Sequence, residues 1–317
     1  AEYTKKRYSN VDNLTVIHGT VEQLELERLF DYIVVMPSYY DHSLRMVLGS
    51  IKKYLKETGS MFIVADNSLG VNVMSGKTYG DEPFAEFENT GKCYISKEEL
   101  RELLEKEGYT NTKWFYPMPD YVIPQEIYTD ESLPNTLHTD CYPYKDTMIA
   151  QPAEIMRTVI KNKVFPQMAN SFIVECKQSG EPCEVTYAAL STDRERGAAY
   201  ATKIYGDKRV VKEPLYEDGQ TGINRLYNNA VKLEQRGIPV IKHQLCVVEM
   251  PFIHDETLMQ FMLRNNERQD IVEKLIERVY NYIIISSVSA PPEKNIMLHY
   301  APDIDWGIIL SEAYLDM

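Results

Sequence analysis

The sequence predicts an α/β protein in which a mostly parallel sheet is followed by a smaller α+β region. In the first half, short apolar runs alternate with longer amphipathic ones, which is the pattern of strands and helices wound into a parallel sheet. After Ser179, three strand-like segments follow one another without helices between them, which indicates antiparallel pairing. We therefore predict two domains, residues 1–178 and 179–317, in agreement with common domain sizes.

Apolar runs and one helix signal place the elements of the first domain. Residues 30–36 and 60–65 are nearly continuous apolar runs, typical of strands buried on both faces. Residues 43–56 space their apolar side chains on one helical face. Ser96 and Glu99 form a capping-box pattern, which predicts a helix start. The remaining predictions are strands at 14–17, 112–116 and 171–176, a short helix at 21–29, a loop at 70–91 and an ordered insertion at 117–152.

The second domain is predicted to be antiparallel strands followed by helices. Its segments lack the strand-helix alternation of the first domain. The predicted strands are 185–190, 199–205, 209–212, 240–242 and 244–249, and the predicted helices are 221–235, 256–264 and 270–286.

Charge and composition exclude several classes of function. A net charge of −13 would repel a phosphate backbone, so nucleic acid is excluded as a partner. No apolar run approaches the ~20 residues of a transmembrane helix, and no signal peptide opens the sequence. The five cysteines show no metal-ligand spacing, which favours free thiols in a reducing compartment. The sequence predicts a cytoplasmic protein without a transmembrane segment or a metal site.

Several segments of the first 175 residues occur in a characteristic order: NLTVIHGTVEQL, FDYIVVM, IKKYLKETGSMFIVADNSLG and YISKEELRELLEKEGY with WFYPMPDY. In this order they resemble class I S-adenosylmethionine-dependent methyltransferases. The YPxPDY segment, Leu133-Pro134 and the ANSFxVE strand are similar to methyltransferases found with bacterial surface-glycan glycosyltransferases. The resemblance implies a partial, doubly wound Rossmann-like sheet and S-adenosylmethionine as cofactor. It also implies a glycan or small-molecule glycan precursor as acceptor, in polysaccharide biosynthesis alongside other glycan-biosynthesis enzymes.

The candidate site follows from the ends of the predicted strands, because open α/β sheets bind ligands beyond the carboxyl ends of their strands. Methyl transfer needs alignment of the acceptor with the methyl group, and a base only where the acceptor must lose a proton. His42 and Asp41 are the candidates for that base. The resemblance assigns Gly19, Thr20, Glu22 and Met36 to the cofactor, Tyr39, Tyr40 and Asp66 to the acceptor, and His42, Asp41 and Asn67 to catalysis.

Each assignment has a structural alternative. His42 and Asp41 are also typical of a helix start on the surface, and Tyr39 and Tyr40 are also typical of packing over a strand end. Asp66 and Asn67 are common turn residues, because their side chains bind nearby backbone groups.

The chain departs from the methyltransferase pattern at the cofactor. The glycine-rich turn and the acidic residue that would hold the ribose do not occur in it, and Thr20 stands where Asp or Asn is more usual. The sequence begins at Ala1 in the middle of the expected fold. We expect the chain to be a segment of a longer bifunctional polypeptide, which by itself binds S-adenosylmethionine weakly or not at all.

From residue 185 onward, the strands, VVKEPL, a helix and VVEMPFIHDETL resemble the small lobe and hinge of kinase-like phosphotransferases. The resemblance implies ATP with Mg²⁺, with Lys212 at the nucleotide phosphates and Glu249 and Met250 at the adenine. The early turns of the helix carry Asn224, Asn228 and Asn229 where an acidic partner of Lys212 is expected, which departs from the kinase-like pattern. Lys212 could equally be a solvated lysine at a strand end, and Glu249 an ordinary edge residue. A further hypothesis is a non-catalytic scaffold.

Overall fold

A computed structural model describes residues 1–36, 44–76, 94–138, 149–238, 240, 248–253, 258–265 and 268–286. The chain forms two compact units, one of Ala1–Lys208 with Pro214–Gly219 and one of Arg209–Glu213 with Gln220–Met317. This division falls later than the predicted boundary at residue 178, because the strand that begins at Val185 pairs with a strand of the first unit. Independent folding of 1–178 and 179–317 stays a prediction.

The first unit contains six α-helices and seven strands among its described residues, with short 3-10 turns between them. Its helices are α1 (Glu2–Arg7), α2 (Leu44–Ile51), α3 (Val71–Met74), α4 (Lys97–Lys106), α5 (Pro152–Lys161) and α6 (Phe165–Met168). Its strands are β1 (Phe30–Val35), β2 (Leu55–Asp66), β3 (Asn111–Met118), β4 (Glu126–Thr129), β5 (Ser171–Lys177), β6 (Val185–Leu190) and β7 (Tyr200–Tyr205).

The sheet of the first unit is mixed, with the order β1-β2-β5-β3-β4-β6-β7 among the described strands. β1 and β2 are parallel, and β5 runs antiparallel to β2 on one side and to β3 on the other. β1, β2 and β3 therefore run in one direction, and β5 lies between β2 and β3 and runs in the opposite direction. β1, α2 and β2 form a strand-helix-strand unit of the kind from which Rossmann-like sheets are built.

One hydrophobic core joins the strands to the helices. Met61 of β2 and Val174 of β5 belong to the same buried cluster as Leu48 of α2, Leu100 of α4 and Met156 of α5. The helix predicted at Ser96 is confirmed with its capping box, since the side chains of Ser96 and Glu99 each bind the other residue's backbone N–H.

Several predictions for the first unit need correction. Residues 14–17 form no strand, and of the helix predicted over 21–29 only a 3-10 turn at Val21–Gln23 is present. The side chains of Leu14 and Ile17 are exposed, because no sheet of the described residues covers these apolar side chains. Strand β2 begins at Leu55, within the segment predicted as the end of a helix. The 117–152 insertion contains strand β4, and the loop predicted at 70–91 contains helix α3.

Strand β1 is confirmed, but the prediction that both of its faces are buried is wrong. Tyr32 is 69% exposed and Val34 is 60% exposed. The reason is positional, because β1 pairs only with β2 among the described strands and lies at the edge of the sheet. An apolar run therefore did not distinguish an edge strand from a central one.

The strand predicted at 112–116 is longer in the structure, because β3 continues through Pro117 to Met118. The pairing of β3 with β5 ends at Phe115, so the missing N–H of Pro117 interrupts no bond on that side. On the other side Pro117 pairs with Ile127 of β4. Proline at such a partly unpaired position is compatible with a sheet.

The second unit contains two strands and three helices among its described residues. These are β8 (Arg209–Pro214), α7 (Gln220–Gln235), β9 (Val248–Pro251), α8 (Leu258–Arg264) and α9 (Gln269–Ser286). β8 and β9 are antiparallel, and α7 buries Ile223, Ala230 and Leu233. The strands and helices predicted for residues 185–235 and the two helices predicted near the end are confirmed. Residues 241–247, which include most of two predicted strands, lie outside the described residues.

Gly59 is expected to be required for the stability of the sheet. A Cβ added at Gly59 would lie 2.8 Å from Leu55 Cδ1 and 2.9 Å from the carbonyl oxygen of Asp31. Because backbone cannot move aside easily, Gly59→Ala should lower the free energy of unfolding by about 1–3 kcal/mol, measured by urea denaturation. Gly49 of α2 is the control, since its added Cβ would come no closer than 3.6 Å to another residue. Gly49→Ala should be neutral or stabilising, and equal losses in both variants would contradict the expectation.

Candidate functional site

Four chain segments meet at the carboxyl edge of the first unit's sheet. β1, β2 and β3 end there, and β5 begins there because it runs in the opposite direction. The register pairs Asp66, the last residue of β2, with Ser171, the first residue of β5. Residues adjacent in space at this edge therefore come from parts of the chain that are about 30 to 100 positions apart.

Asn67 follows β2 and is fully buried, at 0% exposure. Its Nδ2 donates to the carbonyl oxygens of Gln167 at 2.8 Å and Ala169 at 2.7 Å. Its Oδ1 accepts the N–H of Leu69 at 3.0 Å, which forms an Asx turn. These contacts use both hydrogens of Nδ2 and one of the two lone pairs of Oδ1, as the structural alternative for Asn67 expects. The catalytic role of Asn67 stays a prediction.

Asn170 joins three of the segments at this edge. Its Oδ1 accepts the N–H of Asn72 at 2.8 Å, and its Nδ2 donates to the carbonyl oxygen of Pro119 at 2.7 Å. Its own carbonyl oxygen accepts the N–H of Asn67 at 3.0 Å. Gly70 packs directly on this junction, since an added Cβ would lie 3.1 Å from Asn170 Cα. The edge is thus a rigid scaffold built from buried hydrogen bonds.

Asp66 and Tyr121 form a polar pair on this scaffold. Asp66 is only 8% exposed, and its carboxylate accepts a hydrogen bond from the Tyr121 hydroxyl. The backbone N–H of Tyr121 donates to Ser171 Oγ at 3.0 Å, which fixes the start of the loop after β3. Burial, together with the negative charges of Asp66 and Asp120, raises the pKa of Tyr121 to about 12. Tyr121 therefore stays protonated at neutral pH and acts as a donor.

Asp120 shapes the same loop. It is buried, and its Oδ1 accepts the N–H of Val122 at 2.9 Å and, more weakly, that of Ile123 at 3.4 Å. The carboxylate thus closes the turn that leaves Tyr121 half-buried beside Asp66. Sequence reasoning missed Tyr121 as a site residue, although the YPxPDY segment that ends in it was singled out.

The structure places three of the predicted residues, Met36, Asp66 and Asn67, at this edge. Met36 lies directly after β1 with its side chain about half exposed, and Asp66 ends the neighbouring parallel strand. Four further predicted residues, Tyr39, Tyr40, Asp41 and His42, lie outside the described residues.

Gly19, Thr20 and Glu22, the other residues assigned to the cofactor, lie before β1. Thr20 caps the 3-10 turn Val21–Gln23 without a side-chain bond, and this turn packs against α2. A Cβ added at Gly19 would meet only the Gln23 side chain, at 3.9 Å, so no other part of the described chain packs closely on this glycine. Met36 lies at the carboxyl edge and Gly19 before β1, and the described residues include no glycine-rich turn of the kind that would cradle S-adenosylmethionine. The assignment of these residues to the cofactor stays a prediction.

In the second unit, the register of β8 and β9 places the predicted nucleotide-binding residues on adjacent strands. Lys212 pairs with Val248, the residue before Glu249, and Met250 pairs with Val210. Glu249 forms an ion pair with Arg209 at 3.6 Å. The Glu249 carboxylate therefore has a structural partner on the neighbouring strand.

The described residues contain no group of three or more His, Cys, Asp or Glu side chains that could hold a metal ion. In the same part of the chain, every helix is too short or too polar to cross a bilayer.

No family model and no curated protein matches the chain. One similar solved structure is a SAM-dependent methyltransferase of Thermotoga maritima, a possible histamine N-methyltransferase. It has 13% identity and a TM-score of 0.33, over 56% of this chain and 68% of that one. Another is a SAM-dependent methyltransferase of Archaeoglobus fulgidus, with 11% identity and a TM-score of 0.28, over 47% of this chain and 60% of that one. At such low TM-scores the description of the fold rests on the strand order alone.

Proposed function

We propose that the chain takes part in S-adenosylmethionine-dependent methyl transfer to a glycan or glycan precursor, with the acceptor held at the carboxyl edge of the first unit. The observation that carries this proposal is the convergence of the ends of β2 and β3 and the start of β5 on Asp66 and Tyr121. In sheets with parallel strands this edge is where ligands bind. The segments that resemble methyltransferases supply the strands that end there.

The site has the properties that an acceptor pocket for methyl transfer needs. S-adenosylmethionine supplies an electrophilic methyl group when it is bound. The chain's own task is alignment, which can contribute several kcal/mol to such a reaction. The Asn67 and Asn170 scaffold fixes the loops, and Asp66 presents a buried carboxylate that can accept a hydrogen bond from an acceptor group.

A glycan acceptor agrees with this chemistry. Sugars offer many hydroxyl donors, and a carboxylate held by a tyrosine hydroxyl recognises such donors well. The half-buried Tyr121 also offers an apolar ring beside its polar tip. The narrower resemblance, to methyltransferases found with surface-glycan glycosyltransferases, favours the same acceptor class.

The proposed activity is tested with the full-length gene product and S-adenosylmethionine labelled with tritium in the methyl group. Bacterial surface glycans and nucleotide sugars serve as acceptors, and protein without acceptor serves as the blank. We expect label to enter the glycan fraction in proportion to time and protein. Absence of both S-adenosylmethionine binding and label transfer would contradict the proposal and favour the non-catalytic scaffold.

A second candidate function is nucleotide binding in the second unit. The favouring observation is the β8–β9 register, which sets Lys212 next to the strand that carries Glu249 and Met250. A lysine at this place in a kinase-like lobe would contact the nucleotide phosphates of Mg-ATP. The same lobe would make the chain part of a sugar kinase-like phosphotransferase.

Lys212→Ala is expected to weaken ATP binding at least about tenfold, or ~1.4 kcal/mol, because a charge at the phosphates is lost. The measurement is titration calorimetry with Mg-ATP on the full-length protein. Lys274→Ala, which removes an exposed lysine of α9, is the control. If ATP fails to bind, or binds both variants like the wild type, Lys212 is an ordinary strand-end lysine.

A further inference from the structure

We propose that the outer edge of β1 pairs with the same strand of a second copy of this chain, so that the two sheets continue into each other across a two-fold axis. β1 is the first strand of the sheet and pairs only with β2 among the described strands. The inference is independent of the proposed function, because it concerns the side of β1 and not the acceptor pocket beyond the strand ends.

The backbone of β1 is open on its outer side. Its residues pair with β2 between Phe30–Leu55 and Val35–Ile63, and no other backbone hydrogen bond among the described residues involves them. Such an edge presents a row of N–H and C=O groups to a further strand, and many proteins protect it with lysine or proline. Residues 32–36 contain neither. The edge is therefore suited to pairing with another strand.

The side chains beside this edge form an apolar surface. Tyr32 and Val34 are exposed and lie on one face of the strand. Phe62 of β2 lies next to both, since it pairs with Val34 and its ring stacks on that of Tyr32 with 6.4 Å between the centroids. Ile33 and Val35 point to the opposite face and pack in the core. A strand added at the edge would remove Tyr32 and Val34 from water, which is favourable.

The sequence of β1 fits a second copy of itself. A two-fold axis perpendicular to the sheet makes the two strands antiparallel, so the N–H groups of each strand meet the C=O groups of the other. With Ile33 at the axis, Tyr32 lies opposite Val34 of the second copy, and Val34 lies opposite its Tyr32. Pairs of an aromatic and a β-branched residue are among those that stabilise neighbouring strands. The arrangement forms this pair twice.

The charges at the edge are compatible with this pairing, although the whole chain carries a net charge of −13. Asp31 is the one charged residue of β1, and it forms an ion pair with Lys56 at 2.7 Å. In the proposed register the two Asp31 residues are four positions apart along the strands, or about 14 Å. That distance exceeds the Debye length of about 8 Å at physiological salt, so their repulsion is screened. Two copies can therefore meet here without opposed like charges.

The size of the contact sets the expected affinity. A stable interface of standard size buries about 800 Å² on each partner, which is more than one six-residue strand supplies. We therefore expect a weak dimer with a dissociation constant that is roughly micromolar or higher. Such a dimer forms and dissociates over concentrations that are accessible in solution.

The test combines sedimentation equilibrium of the full-length protein with hydrogen exchange of the backbone amides of residues 30–35. The mass should double as the concentration rises from micromolar to millimolar, and these amides should gain protection over the same range. Val34→Lys should raise the dissociation constant of the dimer about tenfold or more, because a lysine would lose water at the paired edge without gaining a partner. Its thermal unfolding temperature should match the wild type, since residue 34 is exposed.

Ile17→Lys is the matched control. Ile17 is also β-branched and 53% exposed, but it lies before β1 and outside the sheet. This variant should dimerise like the wild type. A wild-type protein that stays monomeric at all concentrations, or a dimer that Val34→Lys and Ile17→Lys affect equally, would overturn the inference. Amides of residues 30–35 that are protected in a monomer would also overturn it, because another strand of the same polypeptide would then cover the edge. None of these outcomes bears on the methyl-transfer proposal, since no activity is measured.

Discussion

Replacing Asp66 by Asn is expected to raise the KM for the acceptor about tenfold or more, because a hydrogen bond from an acceptor hydroxyl to a charged group contributes about 1.5–3 kcal/mol. Asn has the same shape as Asp and can still accept a hydrogen bond from Tyr121, so the fold of the edge should persist. The amide carries no negative charge, so the loss should appear in the binding of the acceptor. Initial rates with methyl-tritiated S-adenosylmethionine at varied acceptor concentrations measure the effect.

Glu126→Gln is the control for Asp66→Asn. Glu126 also accepts a tyrosine hydroxyl, at 2.6 Å from Tyr187, and glutamine keeps an acceptor oxygen in the same place. We expect Glu126→Gln to change the KM for the acceptor less than about twofold, and we expect the two variants to have similar thermal unfolding temperatures. An Asp66→Asn variant with the same KM as Glu126→Gln would show that the carboxylate of Asp66 does not bind the acceptor.

Asn170→Ala is expected to lower the free energy of unfolding by about 2–4 kcal/mol. The substitution leaves the N–H of Asn72 and the carbonyl oxygen of Pro119 without their partner inside the protein. Each buried polar group that loses its hydrogen bond costs about 1–3 kcal/mol. The same bonds join the loop after β2 to the loop after β3. The rate of methyl transfer should therefore be lower than in the wild type even at urea concentrations at which the variant is still folded. Urea denaturation and the activity assay together measure both effects.

Asn162→Ala provides the comparison for Asn170→Ala. Its Nδ2 donates to the carbonyl oxygen of Thr158 at 2.8 Å, but this bond is exposed, so water can replace it. We expect a change within about 0.5 kcal/mol. Similar losses of stability in the two variants would mean that the buried hydrogen bonds of Asn170 stabilise the fold no more than an exposed hydrogen bond does.

The strands of the core were predictable because their apolar runs are long and bounded by turn residues. The runs at 30–36, 60–65, 112–116 and 171–176 correspond to β1, β2, β3 and β5. The start of α4 was also predictable, because a capping box is a local signal that needs no tertiary context. The wrong strand at 14–17 shows the limit, since short apolar alternation predicts a strand only where a partner is available.

The site was only partly predictable. Asp66 was found because it directly follows a strand, which is a local feature of the sequence. Tyr121 was missed because its contact with Asp66 depends on the reversed direction of β5, which sets Ser171 between them. Strand direction is a tertiary property that no residue pattern in β5 encodes. A catalytic role was predicted for Asn67 without knowledge of its hydrogen bonds, because only the fold shows that Gln167 and Ala169 are its partners.

The position of the cofactor relative to Asp66 can be measured by ultraviolet photolabelling of the full-length protein with methyl-tritiated S-adenosylmethionine, followed by peptide mapping. We expect the label in peptides that contain Met36 or residues 66–70, at the carboxyl edge of the sheet. Label confined to peptides of β8, α7 or β9 would contradict a methyl-transfer site at that edge.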